Sequence, residues 1–254
     1  MHRLRHDYLP PTDQTKTKKI IDAHFQSIDP LQHWADPYIL LHPAFGTILA
    51  QVKAGATIFD HSDYFATDLR ALAMHGAPTK KMLTYNSSAA RWALSHEAFR
   101  DKGRFSITCL DGSAYLNPSK KWYVNDPFLP YRGSVDILWL PHRVYGLERA
   151  EQRSSILGLI ERFRPTAGFM LVGCHEGSKV TRYEKRTGAL GVREDAWIPN
   201  AEDFGKMLQE VLTPADGEWQ VEVSLIELDQ TEEFREYAAV KGKELLRFTC
   251  VRLD

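Results

Sequence analysis

The stretch ATIFDHSDYFATDLRALA, residues 56–73, contains no glycine. It has the outline of a buried strand, Ala56 to Phe59, that ends in Asp60, crosses a short turn and enters an amphipathic helix from Asp68 to Ala73. In α/β proteins such a turn usually carries glycines, because backbone without a Cβ can approach a nucleotide. A standard glycine-rich fingerprint is therefore excluded at this position. Long apolar runs are also missing: nothing approaches the roughly 20 residues of a membrane span, and the N-terminus MHRLRHDYLPP lacks the apolar middle of a signal peptide. Cysteine is scarce. Cys109, Cys174 and Cys250 each fall in a strand-like run, which favours buried thiols over bridges and a cytoplasmic, reducing setting. Neither sign of charge dominates, with Lys+Arg 32 against Asp+Glu 33, so no nucleic-acid groove or basic membrane surface is expected. A small-molecule partner is expected instead, for a monomer or homodimer. No HExxH or CxxC occurs and no histidine has partners at ligand spacing, so no metal is expected.

What is present is enough apolar residue, 43% of 254, to fill the core of one large α/β domain. Seven strand-like runs recur: 56–59, 81–85, 105–110, 135–140, 168–174, 221–228 and 246–253. The first five are apolar on both faces, as parallel strands covered by helices on either side would be, and the last two alternate more. That last pair is expected to form an antiparallel appendage. Helices are expected over 13–28, 43–53, 88–100 and 147–163, the last stopped by Arg164-Pro165. Segment 112–133 is rich in turn formers and aromatics and reads as a surface loop able to cover a pocket.

Several segments keep a specific order: DPLQHWADPYILLHP, GATIFD followed by DLRALAMHGAPT, the strand end VDILWLPH, RPTAGFMLVG, NAEDFGKM and LLRFTCVRL. Together they resemble a class I S-adenosylmethionine-dependent methyltransferase, and more narrowly the small methyltransferases of fungal natural-product pathways, including meroterpenoid ones. The resemblance implies a Rossmann-like fold, a seven-stranded mostly parallel sheet with helices on both faces. It further implies an N-terminal helical lid region at 1–54 in front of a core at 55–254. It places Asp60 at the end of the first strand and Asp111 at the position that contacts the adenine amine. The two turn glycines of the family fall on Ser62 and Ala66, and the acid that binds the ribose hydroxyls falls on Asn86.

Each departure has a cost. Ser62 and Ala66 are the smallest replacements for glycine, but a side chain at positive φ or against the ligand is strained. Asp63 brings a negative charge toward the methionine carboxylate, and like charges a few Å apart repel by about 1 to 4 kcal/mol depending on the dielectric. Tyr64 adds bulk. Asn86 exchanges charge-assisted hydrogen bonds for neutral ones, at about 1 kcal/mol each. Several kcal/mol in sum would move a micromolar cofactor toward millimolar.

The departures favour a tailoring enzyme of secondary metabolism that has lost methyl transfer and works without a cofactor, as a cyclase, pericyclase or isomerase that preorganises its substrate. The alternatives are a working O- or C-methyltransferase using S-adenosylmethionine on a polyketide or terpenoid, and a non-catalytic pathway partner. For acid–base work the candidates are side chains at strand ends: His142 first, because Pro141-His142 ends the fourth strand, then Asp63, Tyr64, Tyr145 and His61. His175 and Glu176 follow the fifth strand, and Tyr8, Trp34 and Trp139 are candidates for an apolar wall.

Overall fold

The structure, a computed structural model, describes residues 37–62, 65–86, 88–111, 126–141, 147–187, 193–213, 217–227 and 244–254. The strands are β1 Ile58–Asp60, β2 Met82–Asn86, β3 Thr108–Asp111, β4 Ile137–Pro141, β5 Met170–Glu176, β6 Arg182–Thr187, β7 Arg193–Ile198, β8 Trp219–Glu227 and β9 Glu244–Arg252. The helices are α1 Phe45–Lys53, α2 Thr67–Met74, α3 Ala89–Phe99, α4 Arg149–Phe163 and α5 Ala201–Leu212.

The main sheet has seven strands in the order β3-β2-β1-β4-β5-β9-β8. β1 pairs parallel with β2 and β4, β2 with β3, and β4 with β5. β9 lies antiparallel between β5 and β8, so two reversals return β8 to the direction of β5. The expected antiparallel appendage is present as the β9–β8 pair, with β9, the later strand, inserted next to β5. A second sheet, the β6–β7 hairpin, follows β5, and both it and α5 went unread in the sequence. The hairpin segment is too charged for an apolar strand run, and at Arg182, Tyr183 and Lys185 its first strand is exposed.

Strands β1, β4 and β5 are buried along their whole length, which is why their sequences are apolar on both faces. One face carries Phe59, Leu138 and Leu171 against Ile156, Leu159 and Phe163 of α4 and Phe204 of α5. The other carries Ile58, Trp139 and Val172 against Ile48 and Val52 of α1 and Leu69 and Leu72 of α2. Each such side chain contributes about 1.5 to 3 kcal/mol. Gly173 of β5 is a packing glycine: an added Cβ would stand 2.4 Å from the Leu140 carbonyl oxygen. Helix α4 opens with the Glu148 N–H donating to the Glu151 carboxylate at 3.2 Å. It ends where Arg164 turns left-handed at φ 49°, just ahead of Pro165.

Candidate active site

Strand order reverses between β1 and β4, and in an open α/β sheet the ligand crevice lies beyond the carboxyl ends of the strands at that reversal. β1 reaches it with Asp60, which is fully buried. Its Oδ1 accepts the Ser62 N–H at 3.0 Å, while Oδ2 has no partner among the described residues. Burial, and then the neighbouring Asp68 carboxylate, push the Asp60 carboxyl well above the usual carboxylate range. Asp68, in the first turn of α2, is itself buried and accepts from the Ile39 N–H and from the Trp139 indole N–H, both at 2.8 Å.

Ala66, the residue before α2, takes the left-handed conformation at φ 50° and ψ 41° and is fully buried. This is the backbone that a glycine adopts freely and an alanine holds at a cost of about 1 to 2 kcal/mol. Ala66 therefore keeps a backbone of the glycine type. His61 points the other way. Its N–H donates to the Trp139 carbonyl at 2.9 Å, and its buried ring packs 4.6 Å from Tyr85 and 5.8 Å from Phe59, on the α4 side of the sheet.

At the ends of β2 and β3, Asn86 and Asp111 are direct partners in the register. Asn86 is buried and its Oδ1 accepts the Ser88 N–H at 3.0 Å; Ser88 then caps α3 by accepting the Arg91 N–H at 3.3 Å. Asp111 is exposed. Asp63, Tyr64, His142 and Tyr145 lie outside the described residues, as do Tyr8 and Trp34. Trp139 is no pocket wall: it is fully buried and spends its N–H on Asp68. His175 is buried with its ring stacked on Phe204 at 5.4 Å. Sequence reasoning missed Asp68 and Arg70, because polar residues in an amphipathic helix read as its solvated face. α2 is instead buried from Thr67 to Leu72. Also unforeseen is His42, lowered to about 4 by burial and then by Arg247, with its ring edge-on to Trp139 at 5.6 Å. Among the described residues no group of three or more His, Cys, Asp or Glu side chains converges on a point, and no helix is long and apolar enough to cross a membrane.

The residues present fit S-adenosylmethionine. An acid with an open oxygen and a glycine-like turn stand at the first strand, and an amide beside an acid stands at the next two. A doubly wound sheet with such a crevice is the Rossmann-like architecture of α/β proteins. In sequence the chain is similar to a fungal O-methyltransferase. The O-methyltransferase phiE of Fungal sp. (strain ATCC 74256) is 26% identical over 196 residues, covering 77% of this chain and 62% of that protein. The chain thus spans less than two thirds of that relative's length. No family model matches. Among solved structures, the methyltransferase domain of bacterial CtHen1 superposes with TM-score 0.50 at 11% identity, over 82% of this chain and 96% of that one. A putative Zn-dependent alcohol dehydrogenase from Rhodobacter sphaeroides superposes with TM-score 0.53 at 12% identity, over 93% and 97%. These two likenesses speak for the fold alone.

The expectation of a cofactor-independent cyclase that has lost methyl transfer is corrected by these findings, and with it the expectation of no cofactor. Sequence kinship with an O-methyltransferase runs through most of the chain. At the described ends of the turn, Ala66 has the left-handed backbone a glycine would have and Asp60 Oδ2 has no hydrogen-bond partner among the described residues.

Proposed function

We propose that the protein is an S-adenosylmethionine-dependent O-methyltransferase acting on a hydroxyl of a polyketide- or terpenoid-type small molecule. The observation that carries this is the buried Asp60 carboxyl with its open Oδ2 beside a left-handed Ala66. A buried polar oxygen without a partner costs about 1 to 3 kcal/mol and persists where a ligand completes it. Asp60, Ser62 and Ala66 hold the amino-acid end of the cofactor, Asn86 the ribose hydroxyls and Asp111 the adenine amine. When bound, the cofactor supplies an electrophilic methyl group. His142, next in the chain after the end of β4, takes the proton from the substrate hydroxyl, an effect of about 10² to 10⁴ in rate for a positioned base. Asp63, Tyr64 and Tyr145 are assigned to the substrate side, whereas the buried ring of His61 supports the sheet beneath it. The choice of oxygen as acceptor follows the fungal relative.

Calorimetric titration with S-adenosylmethionine, followed by incubation with labelled cofactor and hydroxylated polyketide and terpenoid acceptors, tests the reading. Micromolar binding and a labelled ether product are expected. His142→Gln should retain binding and lose turnover. Absence of cofactor binding at millimolar concentration by well-folded protein would end the proposal.

A further inference from the structure

Arg70 is a buried cation that holds the carbonyls of both peptide units flanking Ala66. It sits on α2 with 3% of its surface exposed. Its backbone N–H donates to the Ala66 carbonyl at 3.0 Å, and its Nη1 donates to the Phe65 carbonyl. The guanidinium is held for this task. Nε reaches Asp101 Oδ2 at 2.6 Å, Nη2 reaches Asp101 Oδ1 at 3.3 Å and Ser95 Oγ at 3.4 Å, and Cζ lies 4.4 Å from the ring centres of both Phe99 and Phe105. Asp101 is steadied in turn by the His96 ring at 2.7 Å.

The Phe65 carbonyl belongs to the peptide whose nitrogen is that of Ala66. Fixing this carbonyl fixes the peptide plane that sets φ of Ala66, and the Arg70 N–H fixes the plane on the other side. Both planes that define the left-handed alanine are therefore gripped by one residue. A glycine would need no such grip, since it visits this region as readily as any other.

We propose that Arg70 is a positioning residue for the cofactor turn: its guanidinium holds the Phe65–Ala66 peptide so that alanine serves where glycine would otherwise be required. The proposal rests on the cofactor reading above for its link to binding. It is a role in shape, since Arg70 touches backbone rather than cofactor.

The test is a two-by-two set: wild type, Arg70→Met, Ala66→Gly and the double variant. Methionine keeps an apolar stem between the two phenyl rings and removes the donors. Arg70→Lys serves as a second variant in case Met prevents folding, because one ammonium can stay with Asp101 but cannot also span to the Phe65 carbonyl. Calorimetry with S-adenosylmethionine should show about a tenfold loss of affinity when Arg70→Met is made in the wild-type background and less than threefold when it is made in the Ala66→Gly background. Equal losses in the two backgrounds would overturn the proposal. Thermal melts of the cofactor-free proteins read the same coupling independently. The loss of Tm from Arg70→Met should be smaller in the wild-type background than in the Ala66→Gly one, because release of the alanine offsets part of it, by roughly 2 to 4 °C if the relieved strain is of the usual size. Identical Tm losses would also refute it. If no variant, wild type included, binds the cofactor, the functional reading falls while the melts still decide the role of Arg70.

Discussion

The two ends of the crevice are built by different means. At β1, Asp60 accepts from Ser62, two residues on, but its neighbours on α2 are held by contacts distant in sequence: Asp68 by Trp139 of β4 and Ile39, and Arg70 by Asp101 and two phenyl rings. At β2 and β3, Asn86 is held by Ser88, two residues on, and Asp111 stands at the exposed end of its strand. Buried polar networks are stiff and intolerant, because each lost partner strands another in a medium of low dielectric. Local caps are forgiving, since water or a neighbouring group can replace the bond. The network beside the β1 end of the crevice is thus preorganised at the expense of stability.

Trp139→Phe should have the largest effect on this contrast. It leaves Asp68 Oδ2 without its indole donor in a buried place, and a loss of about 2 to 3 kcal/mol in denaturant unfolding is expected. A loss under half of that would show the β1 network to be as tolerant as the β2 cap. Next is Asp60→Asn. Burial and Asp68 raise the folded-state pKa of Asp60 above the ordinary 3.8, so the folded protein binds that proton more tightly than the unfolded chain. The stability linked to it is complete below the ordinary value and is lost as pH rises through the raised one, at about 1.4 kcal/mol per pH unit of that window. Asp60→Asn should remove this slope, so it should melt higher than wild type at neutral pH while binding cofactor more weakly. Melts across a pH series that show parallel curves for both proteins would contradict the assigned charge cost.

At the other end, Asn86→Asp keeps the oxygen that accepts the Ser88 N–H and adds a charge for the ribose hydroxyls. A gain of about 1 kcal/mol, or fivefold in the dissociation constant, is expected by calorimetry with little change in Tm. A fall in Tm of many degrees would mean that this end is as tightly constrained as the first. The smallest effect belongs to a control remote from both. Arg149→Ala removes a bidentate pair with Glu210 at 2.7 and 2.8 Å on a partly exposed surface, and no more than about 0.5 kcal/mol should be lost.

Much of the main sheet was legible because buried parallel strands must be apolar on both faces, as IFD, ILWLP and MLVGCHE are here. The antiparallel pairing of β8 with β9 was legible from their alternation, but not the insertion of β9 between β5 and β8, since an edge strand's place depends on partners far away in the chain. The β6–β7 hairpin was hidden by its charge. In the site, Asp60, Asn86 and Asp111 could be placed from their positions at strand ends. The positive φ of Ala66 was indicated only by the resemblance, which puts a glycine there, because nothing in the residue type itself announces it.

Composition and order along the chain determined the fold class, the crevice and the candidate acids, all of which follow from which residues must be buried and where strands must stop. Only the tertiary structure decided that Ala66, at the end of the glycine-free stretch, takes the left-handed backbone. That outcome depends on a guanidinium reaching a carbonyl five residues away and braced by an aspartate thirty-one residues away, a balance of contacts that no local pattern records.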